Sequence, residues 1–207
     1  IEDLPKVLDS MKMGTERIRD VVRSLRTFSR LDEAEFKAVD IHEGLDSTLA
    51  ILQHRLNPCG DRPQIRVIQN YGHLPPVECY PGQLNQVFLN LLTNAIDAID
   101  RHPPQKETPR IRISGTLLNN TNIVDRILIE ISNNGDSISP DIRDRIFDPF
   151  YTTKPIGKGT GLGLSISYQI VVEHHHGSFS CYSTPGEGTE FAIEIPLRRL
   201  PQSNQSA

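Results

Sequence analysis

The sequence predicts a two-layer α+β sandwich, with helices covering one face of a mixed sheet. Three observations point there. A wide apolar stripe over residues 81–99 marks a long amphipathic helix, residues 110–117 and 124–132 read as two strands joined by a polar turn, and two further strand patterns follow a second helix. The length suits such a domain, since a chain of 207 residues removes roughly 70% of its unfolded surface from water. With 37% hydrophobic and 23% charged residues the chain is not of disordered composition, and 14 Gly with 15 Pro exclude collagen-like and low-complexity classes. No apolar run approaches the ~20 residues needed to span a bilayer, and no signal peptide is visible. The balance of 22 basic against 26 acidic side chains excludes a nucleic-acid binder that works through overall charge. Cys59, Cys79 and Cys181 are odd in number and scattered, so neither a disulfide framework nor a metal knuckle is expected, and a reducing, cytoplasmic setting fits best.

In chain order, residues 4–28 repeat apolar groups every seven positions: Leu4, Met11, Ile18 and Leu25 in one row, Val7, Val21 and Phe28 in another. Charged residues stand between them, which is the pattern of a helix with one narrow seam that needs partner helices. A linker follows over 29–37. Residues 39–56 read as a short strand entering a helix with Leu45, Leu49 and Leu52 on one face, ended by Asn57, Pro58, Gly60 and Pro63. Residues 64–70 suit a strand. The helix over 81–99 starts with Pro81 and carries Leu84, Val87, Phe88, Leu91, Leu92, Ala95 and Ile96 on its apolar face. After a loop over 101–109 come the two hairpin strands, a short helix near 140–146, a Gly-rich loop to 161, a helix over 162–173, and strands over 177–183 and 189–196. The tail over 201–207 is polar and expected to be loose.

Chemistry concentrates in three places. The loop Gly157, Lys158, Gly159, Thr160, Gly161, Leu162, Gly163 runs directly into a helix, where glycines let backbone N–H groups approach an anion and the helix dipole favours phosphate. A flexible surface turn is the plainer alternative, against which Lys154 and Lys158 weigh. The loop is neither a Walker A nor a dinucleotide-binding fingerprint, because no Ser or Thr follows Lys158 and the glycines fall at every second position. Asn90 and Asn94 stand four apart on one face of an otherwise apolar helix, a pattern that suits either helix packing or oxygen donation to Mg2+. Asn133, Asn134, Gly135 follow an apolar strand, where an amide could read the edge of a base or merely make a turn.

In order, Asn90-Leu-Leu-Thr-Asn94-Ala-Ile-Asp97-Ala98, Asn133-Asn134-Gly135, Ile146-Phe147-Asp148-Pro149-Phe150-Tyr151-Thr152-Thr153-Lys154, Gly159-Thr160-Gly161-Leu162-Gly163-Leu164-Ser165 and Thr184-Pro185-Gly186-Glu187-Gly188-Thr189 closely resemble the nucleotide-binding boxes of sensor histidine kinases of two-component systems. The resemblance covers residues 38–198. It implies the Bergerat ATP-binding fold shared with DNA gyrase B and MutL, with Mg2+–ATP as cofactor. By that resemblance Asn94 would hold the metal and Asn90 would help place the triphosphate. Asn133 would meet the adenine amine and Gly135 would let the base approach, while Gly159, Gly161 and Gly163 would wrap the phosphates. Ile138, Thr160, Leu162 and Thr189 would complete the nucleotide contacts. Lys154 and Lys158 would neutralise charge on the γ-phosphate, and Phe147, Phe150 and Tyr151 would anchor a lid, core packing being the alternative for each.

The resemblance divides the chain into 1–36, the second helix of a dimerisation and phosphotransfer hairpin with its linker; 37–200, the catalytic ATP-binding domain; and the tail. It implies a protein-histidine kinase that passes the γ-phosphoryl to a histidine upstream of this chain and thence to the aspartate of a response-regulator receiver domain, working as a homodimer through the N-terminal helix. Two departures stand out. Asn133 and Ser137 occupy positions where the family normally has Asp and Gly. No acceptor motif is visible, since His42-Glu43 lacks the Pro that should follow. His174, His175 and His176 are adjacent and fan around a helix end rather than converging on a metal. A non-catalytic module of the same fold is the alternative function. Water-activating relatives carry Glu at the position of Asn90, and an amide has no useful basicity, so an ATPase is disfavoured.

Overall fold

The computed structural model describes residues 35–104, 107–119, 125–154 and 160–198. The expected seam helix, most of its linker, Lys158, Gly159 and the tail therefore lie outside the described residues. The chain divides into two units, 1–35 and 36–207, and the described elements belong to the second.

The elements are β1 (Lys37–Val39), α1 (Ile41–Leu56), β2 (Arg66–Tyr71), β3 (Val77–Cys79), α2 (Pro81–Arg101), β4 (Arg110–Leu118), β5 (Arg126–Asn133), α3 (Pro140–Arg143), α4 (Gly163–Tyr168), β6 (Ser178–Thr184) and β7 (Gly188–Pro196). Five strands form one sheet in the order β2-β4-β5-β7-β6. β2 runs parallel to β4, and the other three pairings are antiparallel, so the sheet is mixed as expected. β1 and β3 pair separately, with Val39 opposite Val77. β3 escaped the sequence reading because three residues are too few to show a period of two.

Period decides which faces meet. Ile111 and Ile113 of β4, Ile127, Ile129 and Ile131 of β5, and Phe191, Ile193 and Ile195 of β7 alternate onto one buried face of the sheet. Leu45, Leu49 and Leu52 of α1 and Leu84, Phe88, Leu91, Leu92, Ile96 and Ile99 of α2 are buried in the same core. Truncating a residue such as Ile96, fully buried, to Ala costs about 2–5 kcal/mol in transfer and cavity terms. α1 begins at Asp40, whose carboxylate accepts the backbone N–H of His42 at 2.9 Å. His42 also stacks on Tyr71 with ring centroids 4.6 Å apart, which gives it a packing role.

The helix expected over 162–173 is α-helical only through Tyr168 and continues as a π-helical stretch, Gln169–His174. His175 ends it. Its Nδ1 faces the carbonyl of Ile170 at 2.8 Å, and its Nε2 accepts the backbone N–H of Tyr80 at 3.0 Å, so this buried ring ties the helix end to the start of α2. His174 meets Gln83 at 2.9 Å instead, so these two adjacent rings have different partners.

Candidate functional site

A cleft of about 260 Å3 opens where α2 passes the ends of β5 and β7. Asn94, Ala98 and Arg101 line it from α2, Asn133 from β5, Thr189 and Phe191 from β7, and Leu164 from α4; residues 136–139 and 151–153, with Ile142 of α3 and Ile146, complete the wall. The sheet register makes the floor: Asn133 is the last residue of β5 and stands opposite Thr189 of β7. In this position the Asn133 amide is buried, Nδ2 donating to the Thr189 carbonyl at 3.2 Å and Oδ1 accepting the Gly135 N–H at 3.0 Å. Gly135 is demanded by the helix beside it. A Cβ there would come 2.5 Å from the Ile99 nitrogen and 2.7 Å from the Ala98 oxygen, and the loop is stitched to α2 by the N–H of Asp136 on that same oxygen at 3.0 Å. Ile138, also in the wall, donates its N–H to Ser183 Oγ at 2.8 Å, and Ser183 Oγ lies 2.9 Å from Thr189 Oγ1.

Asn90 and Asn94 share a face of α2 but serve different neighbours. Asn90 Nδ2 donates to the Gly163 carbonyl at 3.0 Å and to Ser167 Oγ at 3.2 Å, fastening the start of α4, and Asn90 is not among the cleft-lining residues. Asn94 is, and its Oδ1 accepts from Lys154 Nζ at 3.2 Å. The ammonium also meets Asp97 at 2.5 Å, and Asp97 takes Arg55 on its other oxygen at 2.7 Å. Burial alone would raise the Asp97 pKa; the hydrogen bonds and charges of Lys154 and Arg55 outweigh it and hold the carboxyl below its ordinary range.

At the described end of the glycine loop, Thr160, Gly161, Leu162 and Gly163 are not among the cleft-lining residues, and the first residue after them that is in the wall is Leu164. Thr160 Oγ1 accepts the Leu162 N–H at 3.3 Å. Gly161 has φ +67°, and a Cβ there would lie 2.4 Å from the carbonyl carbon of Phe150, itself at φ 66°. A Cβ on Gly163 would touch only the Asn90 amide, at 3.5 Å. Of the three aromatics, Tyr151 lines the cleft under Arg145, Phe150 is 75% exposed, and Phe147 packs on Phe179 and Tyr168 at 5.0 and 5.5 Å, away from the wall. The sequence gives Asp97 a place in the motif over residues 90–98 but no role, and it singles out neither Arg55 nor Arg101. For Asp97 and Arg101 the signal was their spacing, three and seven residues after Asn94, which returns each to the same side of the helix.

The residues present suit a hard divalent cation. Asn94 lines the cleft, its neutral amide oxygen Oδ1 already accepts from a cationic group, and oxygen donors shared with phosphates and water are what Mg2+ takes. Among the described residues no group of three or more His, Cys, Asp or Glu gathers into a metal cluster.

A family model described as "Histidine kinase-, DNA gyrase B-, and HSP90-like ATPase" matches residues 79–199, which span α2, the cleft loops and both final strands. The chain belongs to this family. Among curated relatives of this histidine kinase-like group, sporulation kinase E of Bacillus subtilis is 30% identical over 92% of the chain and 24% of its own length. The signal transduction histidine-protein kinase AtoS of Escherichia coli is 31% identical over 92% of the chain and 28% of its own length. The chain thus spans about a quarter of these relatives. Among solved structures, the nucleotide-free catalytic domain of histidine kinase ThkA superimposes with TM-score 0.61 at 26% identity, covering 79% of this chain and 97% of that domain. The described fold is accordingly that of a histidine kinase ATP-binding catalytic domain. No helix among the described residues is long and apolar enough to cross a membrane.

Proposed function

We propose that this domain binds Mg2+–ATP in the cleft and serves a protein-histidine kinase, delivering the γ-phosphoryl group to a histidine of the kinase's own dimerisation hairpin, from which a response-regulator receiver aspartate takes it. The observation that carries the reading is the convergence of Asn94, Asn133, Ile138 and Thr189, from three separate stretches of sequence, on one cleft. When bound, Mg2+–ATP supplies the transferable phosphoryl group and the divalent charge that screens it.

The chain's own residues do the rest. Asn133, neutral and fixed by two backbone partners, offers its remaining hydrogen-bonding capacity to the base. Ile138 and Phe191 give the base an apolar wall. Asn94 offers Oδ1 to the metal, and Lys154, tethered beside it, supplies a positive charge for the phosphates, with Lys158 and Gly159 proposed to act in the same loop. Asn90 carries no basic atom to activate water and is engaged with α4. Among the described residues that line the cleft there is no histidine, and the acceptor histidine in this reading is one presented to the cleft from the dimerisation hairpin. Homodimerisation through residues 1–36 is the proposed means.

Fluorescent ATP-analogue titration of the 207-residue chain, with and without Mg2+, tests this. Saturable binding that Mg2+ strengthens and unlabelled ATP displaces is expected. Absent or metal-independent binding favours a non-catalytic module, and steady phosphate release would point instead to an ATPase.

A further inference from the structure

Asp97 is over-compensated: one half-buried carboxylate holds two cations, Arg55 at 2.7 Å and Lys154 at 2.5 Å. Arg55 is itself shared with Asp100 at 3.1 Å, and Asp100 is anchored by the buried Arg62 at 2.6 Å. On the other side Arg101 donates weakly to the Asp97 carbonyl and to Thr153 Oγ1, both at 3.4 Å. The chain of charges therefore fixes Asp97 from α1 and the loop after it, whether or not Lys154 is in place. Lys154 has a second contact, Oδ1 of the cleft-lining Asn94.

We propose that Asp97 is a positioning residue which, anchored by Arg55, holds the Lys154 ammonium against the Asn94 oxygen as a stand-in cation in the nucleotide-free domain, and that a divalent cation arriving with nucleotide displaces it. This rests on the nucleotide reading given above. The physical logic is one of charge. An ammonium at 3.2 Å from Asn94 and a divalent ion at the ~2.1 Å typical of Mg2+ coordination would repel each other across one oxygen. On release, Lys154 gains the phosphates, while Asp97 keeps Arg55 and is not left as a half-buried unpaired charge. The site is thus electrostatically balanced in both states.

The test is a four-protein cycle on the whole chain: wild type, Asp97→Asn, Lys154→Met and the double variant, with Mg2+–ADP affinity read by calorimetry. Displacing Lys154 from Asp97 costs binding energy, so Asp97→Asn is expected to tighten ADP about fivefold, or about 1 kcal/mol. That gain should vanish in the Lys154→Met background. An equal gain in both backgrounds would mean Asp97 acts only as a through-space charge, and overturns the proposal. A second readout needs no nucleotide. The Asn94 side-chain amide resonances should move alike in Asp97→Asn and Lys154→Met, and return in Asp97→Glu; unmoved resonances overturn the contact. If the wild type binds no ADP, the nucleotide reading and the exchange both fail, and the resonances alone judge the tether.

Discussion

Asn90 and Asn94 stand one helical turn apart on α2, yet the amide of the first donates to the Gly163 carbonyl while the oxygen of the second accepts from Lys154. One face of a helix thus serves two tasks, fastening α4 and furnishing the cleft.

The two tasks separate by mutation. Asn94→Ala should abolish the Mg2+ enhancement of ATP-analogue binding with little change in the urea midpoint. Asn90→Ala should do the reverse, lowering stability by about 1 kcal/mol through the lost bonds to Gly163 and Ser167. Paired titration and denaturation curves check this, and a swap of the two effects would contradict it.

Asn133 is specified by its partners as much as by any ligand. Asn133→Asp puts a carboxylate oxygen where Nδ2 now donates to the Thr189 carbonyl, at a residue 6% exposed. A loss of about 1–3 kcal/mol at neutral pH is expected, relieved in acid as the new carboxyl takes up a proton. Thermal melts at two pH values decide it.

Burial pulls the His175 pKa below its ordinary value, against the pull of the Ile170 carbonyl. The unfolded chain therefore binds the proton more readily than the folded one. The contribution of His175 is intact above the unfolded pKa of about 6.5 and is lost as pH falls below it. Stability should decline from pH 7.5 to pH 5 in urea titrations, and His175→Gln should flatten that slope.

Gly135→Ala forces a Cβ to within 2.5–2.7 Å of helix backbone at Ala98 and Ile99, which cannot yield as a side chain would. A destabilisation of about 1–3 kcal/mol is expected. Gly163→Ala, whose Cβ would come no nearer than 3.5 Å to the Asn90 amide, an ordinary contact distance, should cost less, and matched melting temperatures make the comparison.

Much of this was legible in the chain. The α2 stripe, the β4–β5 pairing and the last two strands are long enough for period to declare them, and the spacing of Asn90 and Asn94 foretold a shared face. What the sequence hid depends on long-range geometry. The Asp97–Arg55 pair spans 42 residues, so nothing local announces it. Gly135 reads as a turn glycine until α2 is seen against it, and Phe147 reads as part of a lid motif although its neighbours are Phe179 and Tyr168. The π-helical stretch leaves no trace in apolar spacing because its first residues still fit an α-helical stripe.

In the proposed function, nucleotide enters the cleft beside Asn94 and Asn133. A second hollow of about 250 Å3 lies at the ends of the same strands; it shares Asn133 and Thr189 with the cleft but has Arg110, Arg112 and Tyr182 in its wall in place of Asn94 and Ile138. A crystal structure of the chain with a non-hydrolysable ATP analogue and Mg2+ tests the choice most directly. The base is predicted between Asn133, Ile138 and Thr189 with the metal at Asn94 Oδ1; an analogue seated on Arg110 and Arg112 would contradict the account.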